Sequence, residues 1–433
     1  MKFLIVLLFS LSARASVPEL FGSSAGSIAI GNQAEANSAA NNFYAPALLG
    51  YSRKTMFSFN SFYINANFTP ISDVIVKNES NTVGEYESGS VEVNPTPTTM
   101  FGAHLSVPLF ADEGPKFNIS IFAPFDRLME ADTGDPYRPR YVMYENRFIR
   151  PVLIFSGAQD FGNWSFSLGA QTGFQSNGET FFVTRTTTGN PSVAKVSFNA
   201  KPSIGFVGSV AKKNGAHTTY LTVQQEMKSK LQNRATGETE IASNSSFQFD
   251  FDVASLLYYD PLTLRLGHQI EMTQTNWFFS LEYQDWFNYE ASTMKIKKRG
   301  GGINGSTDYE KLSMRNIFIP KVGVEKKLAD HWIGKMGYFY RPSPIYSNNL
   351  KNAGNTIDVD KHVGSLGLAH IFKVYQKDIT LDLAYQLHLL RQMKINKTPG
   401  REDGDPGEEK IGSPGYRIGG MIHVLSLGLS WMY

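Results

Sequence analysis

The chain has 433 residues, no cysteine, and 41 basic against 39 acidic side chains, a formal net charge of +2. That balance excludes the strongly basic field of a nucleic-acid binder, and the missing thiols exclude a disulfide scaffold, thiolate metal sites and a cysteine nucleophile. With 31 Phe, 20 Tyr and 38 Gly, the composition is unusual for a water-soluble globule. It suits a barrel with lipid outside and a wet or ligand-filled lumen.

The opening MKFLIVLLFSLSARAS places one lysine before an apolar run from Phe3 to Leu11, then Ala13-Arg14-Ala15. This pattern predicts a signal peptide over residues 1–15 and a mature start at Ser16. The apolar run is about half the ~20 residues a helical span needs. Next comes NSAANNFYAPALLGYSRKTMFSFNSFYINANF, Asn37 to Phe68. Its first half is too small and polar to build a core, and after Ala45-Pro46-Ala47 it turns aromatic.

From there the signal is period two. In SFQFDFDVASL, Phe247, Phe249, Phe251 and Val253 share a face opposite Gln248, Asp250 and Asp252. In DITLDLAYQLHLL, Ile379, Leu381, Leu383, Tyr385, Leu387 and Leu389 alternate with Thr380, Asp382, Ala384, Gln386 and His388. Such alternation marks strands with one apolar face. Strands are expected near 55–68, 98–109, 117–125, 148–158, 164–174, 196–211, 217–227, 246–257, 262–272, 277–289, 314–327, 332–342, 362–374, 378–391 and 416–433.

A soluble β-sandwich would alternate too, but the connections discriminate. Long polar stretches (69–97, 126–147, 175–195, 228–245, 290–313, 343–361, 392–415) take turns with tight ones such as QDFGN, KKNGAH and LADH. Long outer loops and short periplasmic turns give this rhythm in outer-membrane barrels. Both ends on the periplasmic side require an even strand count. Joining 246–272 into one strand bent at Asp260-Pro261 restores it, giving about fourteen strands, since proline suits a bend better than a regular ladder. The chain closes on an aromatic, Tyr433, as the last strand of such barrels commonly does.

The order and spacing of several motifs resemble the FadL family of outer-membrane hydrophobic-compound transporters. SSAGSIAIGNQAEANSAANNFYAPALLGY resembles that family's small-residue hatch, with Ala45-Pro46-Ala47 in place of its Asn-Pro-Ala turn. Leu281, Tyr283 and Trp286 of SLEYQDWFNY fit a strand-plus-tryptophan pattern. In KVGVEKKLADHWIGKMGYFYRPSPI, Gly323, Trp332, Gly337, Tyr338, Ser343 and Pro344 match in spacing, and Asp358, Asp360 and Lys361 match an Asp-x-Asp-Lys/Arg segment. The resemblance implies an all-β, fourteen-stranded antiparallel transmembrane barrel in the outer membrane of a Gram-negative bacterium. It divides the chain into a hatch over 16–54 inside the lumen and a barrel over 55–433. It further implies a monomer without cofactor or enzymatic activity, in contact with outer-membrane lipid and lipopolysaccharide. Its ligands would be fatty acids or hydrocarbons, captured outside and released sideways into the bilayer.

A passive transporter needs an apolar path, a plug and an exit. Ala123-Pro124-Phe125, at the end of the third strand, is a candidate lateral exit, because proline weakens local pairing. The alternative is a proline that simply ends the strand. Val17, Leu20 and Phe21 at the mature N-terminus are candidate ligand contacts, against the alternative of a frayed end. Glu282, Asp250, Asp252, Asp382 and His388 are expected to form a structural network in the lumen. Arg265 and Lys335 are candidates for holding a carboxylate head group. MKIKKRGGG, Met294 to Gly302, reads as a solvated basic loop able to meet lipopolysaccharide, and 228–246 lacks an apolar loop helix.

The eight histidines lack metal-ligand spacing, so no metal site is expected. A general diffusion porin for polar solutes is the competing function, and the plug argues against it. A barrel lipase ranks third, since no Ser/His/acid grouping stands out.

Overall fold

In a computed structural model, the described residues are 18–78, 86–91, 93, 96–110, 114–125, 138–144, 151–173, 178–185, 191–198, 203–242, 245–289, 295–300, 312, 314–351, 354–375, 377–400 and 409–433. Side chains are described outside 77–78, 86, 142, 178–198, 229–258 and 295–300. The predicted signal peptide and Val17 lie outside these residues.

The alternating segments close into one antiparallel ring of fourteen strands. They are β1 (Met56–Phe68), β2 (Thr98–Pro108), β3 (Lys116–Pro124), β4 (Val152–Phe161), β5 (Trp164–Gly173), β6 (Ser203–Asn214) and β7 (His217–Gln224). The ring continues through β8 (Leu262–Glu271), β9 (Thr275–Asp285), β10 (Ile317–Ala329), β11 (Trp332–Arg341), β12 (Lys361–Val374), β13 (Lys377–Asn396) and β14 (Gly415–Met432). Each strand pairs with its chain neighbours, and β1 closes on β14 from Met56↔Met432 to Phe68↔Gly420. Closure leaves no free edge strand in the ring, so the wall's backbone groups pair strand to strand along their shared lengths.

The wall is turned inside out relative to a soluble protein. On β13, Leu381, Leu383, Tyr385 and Leu389 are exposed on the outside, while Asp382, Gln386 and His388 are buried toward the lumen. Paired aromatics mark both margins of the apolar belt. Near the short turns, the Phe57 ring lies tilted 4.2 Å from Trp431 and the Trp332 ring 4.3 Å from His370. Near the long loops, Tyr283 lies 5.0 Å from Phe318, and the Tyr338 hydroxyl meets His362 Nδ1 at 2.8 Å. Aromatic girdles of this kind sit at the two membrane interfaces.

All short turns lie on one rim, beside both ends of the ring, and all long connections lie on the other. The strand count of fourteen holds, but for a different reason than expected. Ser245–Asp260 does run into β8 with a break at Pro261, yet its partners are Met227–Ala242 and Lys295–Gly300 in a separate three-stranded sheet. The β7–β8 hairpin thus continues beyond the barrel, and Asp250 and Asp252 belong to that sheet rather than to the wall. The stretch 228–245, expected as a loop, is mostly strand. The basic stretch Lys295–Gly300, expected as a loop, is an edge strand of that sheet. Two further ribbons, Ile71–Asn78 with Tyr86–Val91 and Gly178–Arg185 with Pro191–Phe198, lie within other long connections.

Candidate functional site: the plugged lumen

Residues 18–51 lie within the ring. Three short helices, α1 (Pro18–Phe21), α2 (Ala25–Ala29) and α3 (Asn41–Tyr44), lead to a 3-10 turn over Pro46–Tyr51. Their polar groups bond to the inner wall all round. Ala25 N–H donates to Asn60 Oδ1 of β1 at 3.0 Å, and His104 Nε2 of β2 meets the Ser23 carbonyl at 2.8 Å. Asn42 reaches Ser120 of β3 and Ser156 of β4. On the far side, Gln269 of β8 donates to the Ala34 carbonyl and Ser365 of β12 to the Ala29 carbonyl. A segment this small and polar has no core of its own; the wall supplies its partners.

Close seating depends on glycine at two wall positions. A Cβ on Gly337 would lie 2.1 Å from the Gly31 nitrogen, and one on Gly323 would lie 2.4 Å from the Ile30 carbonyl oxygen. Gly31 itself has φ +81°, a left-handed conformation that suits glycine.

Ion pairs fix the rest. Glu282 Oε2 of β9 accepts from Arg265 Nε at 3.1 Å and Lys321 Nζ at 2.9 Å, all three side chains being at most 4% exposed. The two cations also hold plug carbonyls, Arg265 that of Phe43 and Lys321 that of Asn32. Lys335 pairs with Asp382 at 2.8 Å and with Glu35 of the plug at 3.6 Å. Burial pushes the Glu35 carboxyl up, against the pull of Lys335. Arg265 and Lys335 are therefore committed to wall and plug carboxylates, which corrects their candidacy as head-group ligands. Near the outer rim, Glu19 of α1 accepts from Arg341 Nη1 at 3.0 Å and Gln284 Nε2 at 2.8 Å. The expected network thus exists through Glu282 and Asp382, with Lys321 and Arg341 as members the sequence did not single out. His388 bonds Gln386 and faces the Phe21 ring at 5.2 Å.

The two ends of the lumen differ. Toward the short-turn rim, Ala39, Leu49 and Met56 are buried against Ala158 of β4, whereas Phe43 and Tyr44 pack deeper, against Phe122, with the Tyr44 hydroxyl on the Pro18 carbonyl. Ser165 Oγ donates to the Ala47 carbonyl, and the Tyr51 hydroxyl donates to the Ala211 carbonyl. Ala45-Pro46-Ala47 is therefore part of a buried seal. Ala45 caps and Pro46-Ala47 open the 3-10 turn, whose remainder and residues 52–55 lead into β1. Toward the long-loop rim, Leu20 and Phe21 belong to a continuous buried apolar column with Phe339, Val363, Leu390, Ile345 and Val359. Residues 138–144 lie across its top, with Tyr141 stacked on Phe68 at 4.2 Å.

The third strand shows no break in register. Its pairing with β2 runs to Met100↔Pro124, while its pairing with β4 ends at Phe122↔Val152. Ala123 and Pro124 are buried and Phe125 is 66% exposed. Among the described residues, no group of three or more His, Asp or Glu side chains converges as a metal site.

A closed fourteen-stranded barrel filled by its own N-terminal segment is the architecture of the FadL-type channels. No protein-family model and no curated protein matches the sequence. Among solved structures, a FadL homologue from Pseudomonas aeruginosa aligns over 95% of this chain and 98% of its own at 15% identity, with a TM-score of 0.60. The toluene transporter TodX from P. putida aligns over 95% and 98% at 13% identity, TM-score 0.53. The toluene transporter TbuX from Ralstonia pickettii aligns over 95% and 99% at 13% identity, TM-score 0.51. The chain therefore has the FadL-type fold, and at these identities the likeness is one of fold.

Proposed function

We propose that the protein carries hydrophobic molecules, long-chain fatty acids foremost, passively across the outer membrane of a Gram-negative bacterium and releases them sideways into the bilayer. The observation that carries this reading is the asymmetry of the lumen. An apolar column leads inward from the outer loops to Phe21, whereas the periplasmic end is filled by Ala39, Ala47, Leu49 and Met56. An apolar ligand that enters such a lumen finds its way out through the wall more readily than through the seal. A general diffusion porin needs a continuous wet path instead.

The exit is assigned to the end of β3, where Ala123, Pro124 and Phe125 extend beyond the last β3–β4 pair. Leu20 and Phe21 form the inner end of the ligand path. The native chain has no cysteine, so Ile121→Cys with Leu153→Cys, which are ladder partners, gives a clean crosslink across this seam. Cells expressing the oxidised double variant are expected to lose uptake of labelled oleate and to recover it on reduction. Full uptake with the crosslink formed would rule out this exit.

A further inference from the structure

The outer face of the wall carries a group of cations that neither the plug nor the lumen uses. Lys394 of β13 and Arg417 of β14 are ladder partners. Their neighbours Ile395, Tyr416 and Ile418 are buried in the apolar column, which sets both cations on the outward side, where both are exposed. Arg391, on the same side of β13, has 70% of its side chain exposed and only a long contact of 3.5 Å to Asp360. Among the described residues, Lys394 and Arg417 pair with no acidic side chain. Like charges set directly opposite across a ladder destabilise it. The wall therefore keeps a repulsion here that a bound anion would relieve.

The height of the patch says which anion is at hand. On β13 the outward residues from Ile379 to Leu389 include Leu381, Leu383 and Tyr385, and on β14 those from Trp431 back to Met421 include Leu427 and Leu425. Ten residues at about 3.3 Å each, tilted by about 40°, rise roughly 25 Å, the height of the apolar band of such a barrel. The three cations begin directly above that band, at the level of lipid head groups on the long-loop side. Below them, Asn67 and Asn65 of β1 stand opposite Met421 and His423. They face outward, since Ile64, Ala66 and Phe68 are buried, and neither amide has a hydrogen-bond partner among the described residues. Across the ring the outer ends of the wall are apolar instead, with Phe101 beside Phe125 and with Ile204 and Phe206 exposed.

We propose that this face of β13, β14 and β1 is a binding site for a phosphorylated glycolipid of the outer leaflet. The guanidinium groups offer forked N–H donors to phosphate oxygens, and the lysine adds a point charge beside them. The free amides of Asn65 and Asn67 suit the hydroxyl and amide groups that a glycolipid carries between its sugar and its acyl chains, and that a glycerophospholipid lacks. The acyl chains then lie along Leu383, Leu389, Met421 and Leu425. The site is independent of what passes through the lumen.

The experiment is native mass spectrometry of the full-length protein in non-ionic detergent with EDTA, titrated with bisphosphorylated lipid A. Phosphatidylglycerol and phosphatidylethanolamine form parallel arms, and heat-modifiable migration checks that each variant is folded. The wild type is expected to bind lipid A about tenfold more tightly than phosphatidylglycerol, or better, with the difference shrinking at high salt. Lys394→Gln with Arg417→Gln should remove that preference and leave phosphatidylethanolamine binding unchanged. Asn65→Ala with Asn67→Ala should weaken lipid A binding without affecting phosphatidylglycerol. Lys326→Gln with Lys373→Gln, two exposed cations at the opposite rim, should change nothing. The connection above the patch holds Glu402, Asp403, Asp405 and Glu408, and converting these to amides should preserve or strengthen lipid A binding. Loss of binding in that variant would overturn the site in favour of the acidic loop. Undiminished lipid A binding in the Lys394/Arg417 variant would overturn it as well. Equal binding of all three lipids by the wild type would reduce the patch to ordinary lipid contact, and a preference for phosphatidylglycerol would replace the glycolipid by a phospholipid.

Discussion

Replacing Glu282 by glutamine tests what holds the plug in place. In the native lumen this carboxylate faces Arg265 and Lys321, at 3.1 and 2.9 Å, with no more than 4% of any of the three side chains exposed. The substitution keeps shape and one acceptor but leaves two buried cations without a counter-charge. Breaking a buried pair by removing one partner costs about 3–5 kcal/mol. Both cations bind plug carbonyls, so the cheapest relief is to let water in by lifting the plug from the β8–β10 wall. At about 1.4 kcal/mol per factor of ten, a cost of that size would raise the unseated population by roughly 10²- to 4 × 10³-fold. The barrel ladder does not involve these side chains, so heat-modifiable migration in detergent gels should persist. Planar-bilayer recordings should instead show frequent openings. Removing one of the stranded charges, in Glu282→Gln with Lys321→Met, should restore much of the closed behaviour. Quiet recordings from Glu282→Gln, with unchanged protease resistance of residues 18–51, would refute the claim that this triad secures the plug.

Three further outcomes follow from the same geometry. Gly337→Ala sets a Cβ against plug backbone at 2.1 Å, which no rotamer can relieve, and should raise conductance, while Gly364→Ala, with nothing within 4 Å, should be silent. Phe21→Ala empties a fully buried position at the inner end of the column and should shorten retention of bound oleate, at a local cost of about 3–5 kcal/mol, without impairing barrel assembly. Leu383→Arg, on the outer face near mid-strand, should destabilise the inserted barrel by about 2–4 kcal/mol in urea titrations in lipid, whereas Ile379→Arg, on the same face beside the short turn, should cost about 0–1 kcal/mol.

Much of the wall was readable in the sequence because period two is a local signal. DITLDLAYQLHLL already separates the faces that β13 presents to lipid and to the lumen. Alternation cannot say which strand pairs with which, however. SFQFDFDVASL alternates as cleanly as any wall strand, yet it pairs outside the ring, because Pro261 ends one ladder and β8 starts another. The same limit explains the lumen. Glu282 stood out as an inward carboxylate, but recognising Arg265 and Lys321 as its partners needs the register of β8, β9 and β10. Without that register, Arg265 resembled a head-group ligand. By contrast, the small-residue leader was informative, since a segment unable to bury itself must be buried by something else.

The most direct test of the account compares entry of labelled oleate with entry of labelled arabinose in cells whose only source of outer-membrane uptake for either is this protein. Saturable oleate uptake with arabinose at background is the predicted result. Arabinose entry at porin-like rates, with oleate unaffected by the protein, would contradict it.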